Sequence, residues 1–265
     1  MTKHVFFSGK FKSLGLFFFI LMFFVGCDKV EKDFNFDNYG NLPPGIALNF
    51  DDDYFKEWLE ANVIIKKYNG CATYNVSLFK HAITGDANDD LKFLYQSGNE
   101  IGFHTMNHQD VVKSIQNYGE KKFIENEILP SINFFKKLNI PVTTFAYPFG
   151  NRNAHTDSIL LKYYDRVRGA PTDYKGNAQL APFVKERGNK LLYHFFFFDK
   201  TAPFSMRDIK EKIIHAKRYK TVLILYAHKP MKTPDSDYSF SFDNLEQILS
   251  FAKANGMKFY LMSDL

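Results

Sequence analysis

At 265 residues, 45% hydrophobic and 17% aromatic, the chain is long enough for one α/β domain with a large core and too short for two comfortable ones. Its formal charge of +5 includes Lys3, Lys10 and Lys12 of an expected leader, and +2 remains without them. That balance, with no basic stripe anywhere, excludes a nucleic-acid partner.

Lys3, Lys10 and Lys12 precede an almost wholly apolar run from Leu14 to Val25, the layout of an export signal. At roughly 12 residues the run falls short of the ~20 that span a bilayer. It ends in Phe24-Val25-Gly26-Cys27, which resembles the lipobox of bacterial lipoproteins and implies Cys27 as the lipidated first residue of the mature chain. An uncleaved anchor with an incidental cysteine is the other reading. Under both, the domain is exported and membrane-tethered in the cell envelope, with the outer membrane or cell surface as the expected location. Residues 1–27 are therefore read as signal peptide and 28–43 as a polar tether. The acidic start of the tether, Asp28 to Asp33, resembles surface-export tags of Bacteroidetes lipoproteins. With Cys27 lipidated only Cys71 remains, so no intramolecular disulfide is expected, and Cys71 reads as a buried strand residue.

Residues 44–265 form the domain, in which strand and helix patterns alternate. Ile46–Phe50 reads as a strand and Tyr54–Tyr68 as a helix with Phe55, Trp58, Leu59 and Val63 on one face. A strand over Cys71–Val76, a helix over Asn88–Gln96 stopped by Gly98, and a short strand over Ile101–His104 follow. Lys121–Leu138 predicts a long amphipathic helix broken near Pro130. Next come a strand over Val142–Tyr147, a helix over Thr156–Tyr164 and a short strand over Arg166–Arg168. Thr172–Lys190 lacks a period and reads as a loop, and Leu191–Phe198 (LLYHFFFF) as a strand buried on both faces. A helix over Arg207–Arg218, a strand over Thr221–Ala227, a helix over Phe242–Ala254 and a strand over Lys258–Met262 complete the pattern. Such alternation predicts a mainly parallel sheet or barrel, whose active sites gather at the C-terminal ends of strands.

Those ends carry the chemistry. Asn49-Phe50-Asp51-Asp52-Asp53-Tyr54 leaves the first strand, and three adjacent carboxylates are tolerable if a cation binds or the turn is well solvated. An acidic turn capping the next helix is the plainer alternative. His104-Thr105-Met106-Asn107-His108 leaves the third strand with two imidazoles at metal-ligand spacing. Tyr147-Pro148-Phe149-Gly150 is a stiff turn able to aim a backbone N–H, and His228 follows the strand Leu223–Ala227. Tyr147 is expected at the rim, the best placed of Trp58, Tyr147, Phe149 and Tyr226 to present an aromatic face there. His194 reads as a core residue, His155 as part of a helix start, and His81 and His215 as surface residues.

Together these segments resemble the polysaccharide deacetylase family, the NodB-homology carbohydrate esterases, over about Pro44 to Leu265. Asn49-Phe50-Asp51-Asp52-Asp53 matches its T-F-D-D-G motif except at both ends. His104-Thr105-Met106-Asn107-His108 matches H-[ST]-x-x-H in full, Ala146-Tyr147-Pro148-Phe149 matches R-x-P-[YF] in part, and His228 matches the final strand-end His. The resemblance implies a distorted (β/α)7-type barrel and a metal site of Asp52, His104 and His108, with zinc the expected ion. It implies Asp51 as base, His228 as acid, the Phe149 backbone N–H for the oxyanion, and Tyr147, Pro148 and Arg168 beside the substrate. The implied reaction removes acetyl from an N-acetylated or O-acetylated polysaccharide. Two departures stand out: the motif-three Arg is Ala146, and no Asp-Trp motif is found, the only Trp being Trp58. Arg168, ahead of Arg152 and Arg166, is the candidate to replace the Arg.

Three other functions remain open on sequence: an impaired, glycan-binding lipoprotein on this fold, a deacylase of a non-carbohydrate amide, and a two-His-one-carboxylate iron oxygenase. Asp51 and His228 argue against a pure binder, and the α/β pattern argues against the oxygenase. Which glycan, and whether acetyl sits on nitrogen or oxygen, is not encoded legibly.

Overall fold

The computed structural model describes residues 42–77, 85–169 and 195–265. The leader, Cys27, most of the tether, His81, the Thr172–Lys190 loop, and His194 with the start of its strand lie outside the described residues.

In chain order the domain runs β1 (Gly45–Asp52), α1 (Phe55–Lys67), β2 (Ala72–Val76), α2 (Gly85–Gln96), β3 (Glu100–Phe103), α3 (Val111–Tyr118), α4 (Glu120–Phe123) and, beyond a π turn (Ile124–Ile128), α5 (Leu129–Leu138). It continues with β4 (Thr144–Ala146), α6 (Ala154–Leu160), β5 (Arg166–Arg168), β6 (Phe195–Phe197), α7 (Met206–Arg218), β7 (Val222–Ala227), β8 (Lys229–Met231), β9 (Ser239–Ser241), α8 (Phe242–Ala254) and β10 (Lys258–Tyr260). The strand order is β5-β4-β3-β2-β1-β7-β6, every pairing is parallel, and β10 pairs with the first residues of β1. This is the expected parallel α/β barrel architecture. The β8–β9 ribbon was not foreseen; its strands are three residues each, too short to show a period.

β1 pairs with β2, β7 and β10 and is buried through Asp51. Its side chains alternate between two environments, as a strand must. Ile46, Leu48 and Phe50 join Trp58 and Ile65 of α1 and Leu245 and Leu249 of α8 in the main core. Ala47 meets Ile224, Tyr226 and Met262 on the concave side. That concave face is largely polar: Asn75 donates to Asn49 and Asp51, and Thr73 and Thr144 donate to Glu100. Buried polar groups of this kind are tolerable only when hydrogen-bonded to each other, so they form networks.

Several local expectations are corrected. Val63 is 72% exposed, and α1 instead buries Phe55, Trp58, Ala61, Asn62 and Ile65. Cys71 precedes β2 and is half-buried; burial pushes its thiol up to about 11, which leaves it unreactive. The helix around Pro130 is not simply broken. Pro130 has no N–H to give the preceding turn and its ring crowds that turn, and the chain widens into the π turn just ahead of it. Among the described residues, no helix is long and apolar enough to cross a membrane.

Candidate active site

Each chemistry-bearing side chain leaves the C-terminal end of a strand: Asp51 and Asp52 from β1, His104 after β3, Arg168 from β5, Asp199 after β6 and His228 after β7. They line one cleft of ≈ 330 Å³ together with Phe149, Phe197 and Tyr238, except for Asp199, which lies behind His228.

Asp52, His104 and His108 come together as a triad whose ligand atoms all lie within 4.8 Å of one another. Asp52 Oδ1 sits 3.2 Å from His108 Nε2 and 3.6 Å from His104 Nε2, is buried, and accepts no well-directed hydrogen bond. A buried carboxylate oxygen facing two imidazole nitrogens without a shared donor fits a divalent cation, so the residues present suit the metal the motif implies. His104 Nδ1 lies 2.8 Å from the carbonyl of Ala146. A carbonyl only accepts, so the proton is on Nδ1 and the Nε2 lone pair points at the triad. Burial lowers His104 to about 4, which keeps it a neutral ligand. Burial would raise Asp52, but the His108, His228 and His104 imidazoles outweigh it and hold the carboxyl at about 2.

Four non-glycine residues here adopt left-handed backbone: Asp52 (φ 87), Thr105 (φ 60), His108 (φ 50) and Phe149 (φ 59). Such strain persists only where surroundings over-determine it. The π turn supplies part of that constraint. It buries Glu127 beneath the histidine loop, where Glu127 accepts from the Asn107 backbone N–H at 2.9 Å and from the Asn107 side-chain amide at 2.7 Å. Ser77 Oγ donates to the Thr105 carbonyl and Thr105 Oγ1 accepts from Gln109 N–H.

Asp51 is buried and its two oxygens are both gripped by Arg168 Nη2. Asn75 Nδ2 adds a donor at 2.9 Å. Burial alone would raise Asp51, but Arg168, then His104 and His228, hold its carboxyl below the usual range and ionised. Arg168 is the register partner of Ala146, so the guanidinium enters from the neighbouring strand at the level of the missing motif-three Arg. It lies over the Tyr226 ring at 5.0 Å, almost fully buried, and lines the cleft as one of the groups that face it.

His228 Nδ1 lies 2.5 Å from Asp199 Oδ2, and its backbone N–H donates to Asp199 Oδ1 at 3.1 Å. Burial would lower the imidazole, yet the Asp199 carboxylate, with Asp52 and Asp51 beyond, raises it above its ordinary range. Trp58 Nε1 donates to the His228 carbonyl at 3.1 Å from beneath. Sequence reasoning missed Asp199, Asn75 and Glu127. For Asp199 the signal was present: it is a carboxylate directly after the apolar Phe195–Phe198 run, the rule that found Asp51. Asn75 and Glu127 carry no such signal.

The expected rim aromatics need revision. Tyr147 is not at the rim; it is buried, and its hydroxyl donates towards Thr156 and Asp157, each at 3.0 Å. Trp58 and Tyr226 are buried too. Pro148 stiffens the short turn and is buried, and Phe149 projects, 70% exposed, with its ring 4.7 Å from that of His108.

Residues 40–164 match the family model described as polysaccharide deacetylase, a span holding Asp51, Asp52, His104, His108 and Phe149. A comparison with curated proteins finds no match. The chain is similar to the solved chitin deacetylase of the fungal pathogen Colletotrichum lindemuthianum, at 16% identity, 84% coverage of this chain, 88% of that one and a TM-score of 0.57. It is similar to the family 4 carbohydrate esterase of Streptomyces lividans at 12% identity, 82% and 92% coverage and a TM-score of 0.56. A third structure is the peptidoglycan N-acetylglucosamine deacetylase catalytic domain of Eubacterium rectale, at 18% identity, 84% and 90% coverage and a TM-score of 0.53. At these identities the structures speak for the fold, and it is the barrel described above.

Proposed function

We propose that this chain, whose residues 40–164 match the polysaccharide deacetylase family model, is a metal-dependent hydrolase removing acetyl groups from an extracytoplasmic, N-acetylated polysaccharide. The observation that supports this most is the pairing inside one cleft: an ionised Asp51 held by Arg168, and a proton-bearing His228 held by Asp199, on the walls that also carry Asp52, His104 and His108.

Asp52, His104 and His108 would hold a divalent cation, zinc foremost, which when bound polarises an acyl carbonyl and acidifies water. Asp51, ionised and oriented by Arg168 and Asn75, takes the proton from the attacking water. The backbone N–H of Phe149 is the proposed donor to the oxyanion of the tetrahedral intermediate. His228 then gives its proton to the departing nitrogen, and the products are acetate and a free amine. An amine needs that proton more than an alcohol does, so the Asp199-supported acid favours N-acetyl over O-acetyl substrates. The same pairs speak against a binding module, which needs neither base nor acid.

Residues 1–27, 28–43 and 44–265 are proposed as signal peptide, tether and catalytic domain, with Cys27 lipidated and the membrane as the second partner. Loss of palmitate labelling in Cys27→Ala would support the anchor, and unchanged labelling would remove it. The activity is tested by acetate release from chito-oligosaccharides, peptidoglycan fragments and acetylated xylan, with and without zinc. Metal-dependent release from any of them supports the proposal; silence from metal-loaded protein on all three overturns it.

A further inference from the structure

The β8–β9 ribbon follows His228 immediately and returns to the cleft at Tyr238. Tyr238 is 57% exposed, yet its ring lies 5.2 Å from that of His228, edge to face, and it lines the cleft. Its backbone is held on both sides. The Tyr238 carbonyl accepts from Lys229 N–H at 3.0 Å, and the Ser239 carbonyl accepts from Lys200 N–H at 2.8 Å. Ser239 is fully buried, with its hydroxyl tied to Ser236, and Phe240 is buried against Phe50 and Phe198. On the other side, Lys229 Nζ lies near Asp235 and Glu57 of α1, which ties the ribbon to the barrel.

The molecule therefore spends a fixed, outward aromatic face beside the acid, where no core requires it. Phe149, also exposed, lines the same cleft with its ring beside that of His108. Between them the cleft mixes the charged and polar groups Asp51, Asp52, His104 and His228 with the aromatic rings of Phe197 and Tyr226. An aromatic face next to a polar pocket suits a ring with an apolar C–H face and a hydroxylated edge, which describes a pyranose. The side matters as well. His228 protonates the departing nitrogen, so the ring bearing that nitrogen lies over His228, while the acetyl group points at the Asp52-His104-His108 side.

We propose that Tyr238 is the substrate-positioning residue that seats the sugar ring whose nitrogen leaves, so that the site reads a pyranose-linked acetamide rather than acetamides in general. This rests on the deacetylase reading and adds a substrate-recognition element outside its catalytic groups. Because the ribbon is already ordered, the contact costs little ordering on binding.

The test uses full-length protein in detergent, loaded with zinc, and tetra-N-acetylchitotetraose as probe. In one arm acetate release is followed for the unsubstituted chain, Tyr238→Ala and Tyr238→Trp. Tyr238→Ala should raise KM roughly fivefold to tenfold, more than it changes kcat, and Tyr238→Trp should restore KM. In the second arm the tetramer is titrated into Asp51→Asn protein with and without Tyr238→Ala, which reads binding with no turnover. Affinity should fall by a similar factor. Equal affinity in that titration, or no binding at all, overturns the Tyr238 proposal. Absence of acetate release by the unsubstituted chain while the tetramer binds through Tyr238 would instead overturn the deacetylase reading.

Discussion

Arg168 and Asp51 sit on strands β5 and β1, four places apart in the sheet order, and yet the guanidinium touches both carboxylate oxygens. Flat, four strand spacings would separate them by roughly 19 Å, far beyond an arginine's reach. The contact exists because the sheet curls, and both residues line the same cleft as Asp52.

Arg168→Ala leaves Asp51 ionised, buried and without its main partner. Breaking such a pair from one side costs about 3–5 kcal/mol, and kcat should fall roughly 100-fold as the base loses its orientation. Urea denaturation and steady-state kinetics read the two effects separately. A variant as stable and active as the parent would show that the pair is ornamental.

Metal binding and base chemistry should separate by residue. Asp52→Ala and His108→Ala should lose zinc together with activity. Asp51→Asn should keep zinc while kcat falls by about 100-fold or more. Elemental analysis of each purified variant decides the point, and full zinc occupancy in both ligand variants removes the triad as the metal site.

The pH profile follows from the directions of two shifts. Asp51 is lowered, so its ionised form is present above the usual carboxylate range and is lost only as pH falls through its depressed value. His228 is raised, so its acid form is present at neutral pH and is lost as pH rises through its elevated value. The acid limb of kcat should therefore lie low and the alkaline limb high. Asp199→Asn removes the carboxylate that lifts His228 and should move the alkaline limb to lower pH. An alkaline limb that stays in place would detach His228 from the proton transfer.

A methyl group at position 102 should disturb the base from the interior of the barrel. A Cβ on Gly102 would collide with Asn75 Oδ1, and Asn75 Nδ2 is the second donor to Asp51. Gly102→Ala is expected to lower kcat about tenfold with zinc content retained, since one hydrogen bond to a charged group contributes roughly 1.5–3 kcal/mol. Parental kcat would mean that Asn75 shifts without cost to Asp51.

Below the fold level, legibility tracked chain locality. The Asp51-Asp52 pair, His104-x3-His108, Pro148-Phe149 and the strand-end His228 are short segments whose spacing survives any tertiary arrangement, so their resemblance to the polysaccharide deacetylase motifs could be seen in the chain, and that resemblance implied the triad and the acid–base pair. The alternation of strand and helix likewise specified a parallel sheet, because a parallel pair needs a crossover and the crossovers are visible as amphipathic periods. Of the partnerships across the barrel, only Arg168 with Asp51, 117 residues apart, was among the candidates, because it follows a strand. Asp199 meets His228 over a separation of 29 residues and Trp58 meets the His228 carbonyl over 170, and neither could be read. Tyr147 was expected outside and lies inside, because Thr156 and Asp157 of α6 are there to receive its hydroxyl.

The sequence by itself determined which groups are the candidates for chemistry and that they would gather at strand ends, since hydrophobic period and motif spacing are properties of the local chain. Only the tertiary structure decided what holds those groups ionised or neutral. Desolvation and charge pairing depend on distances that the curl of the sheet sets, and no one-dimensional pattern encodes them.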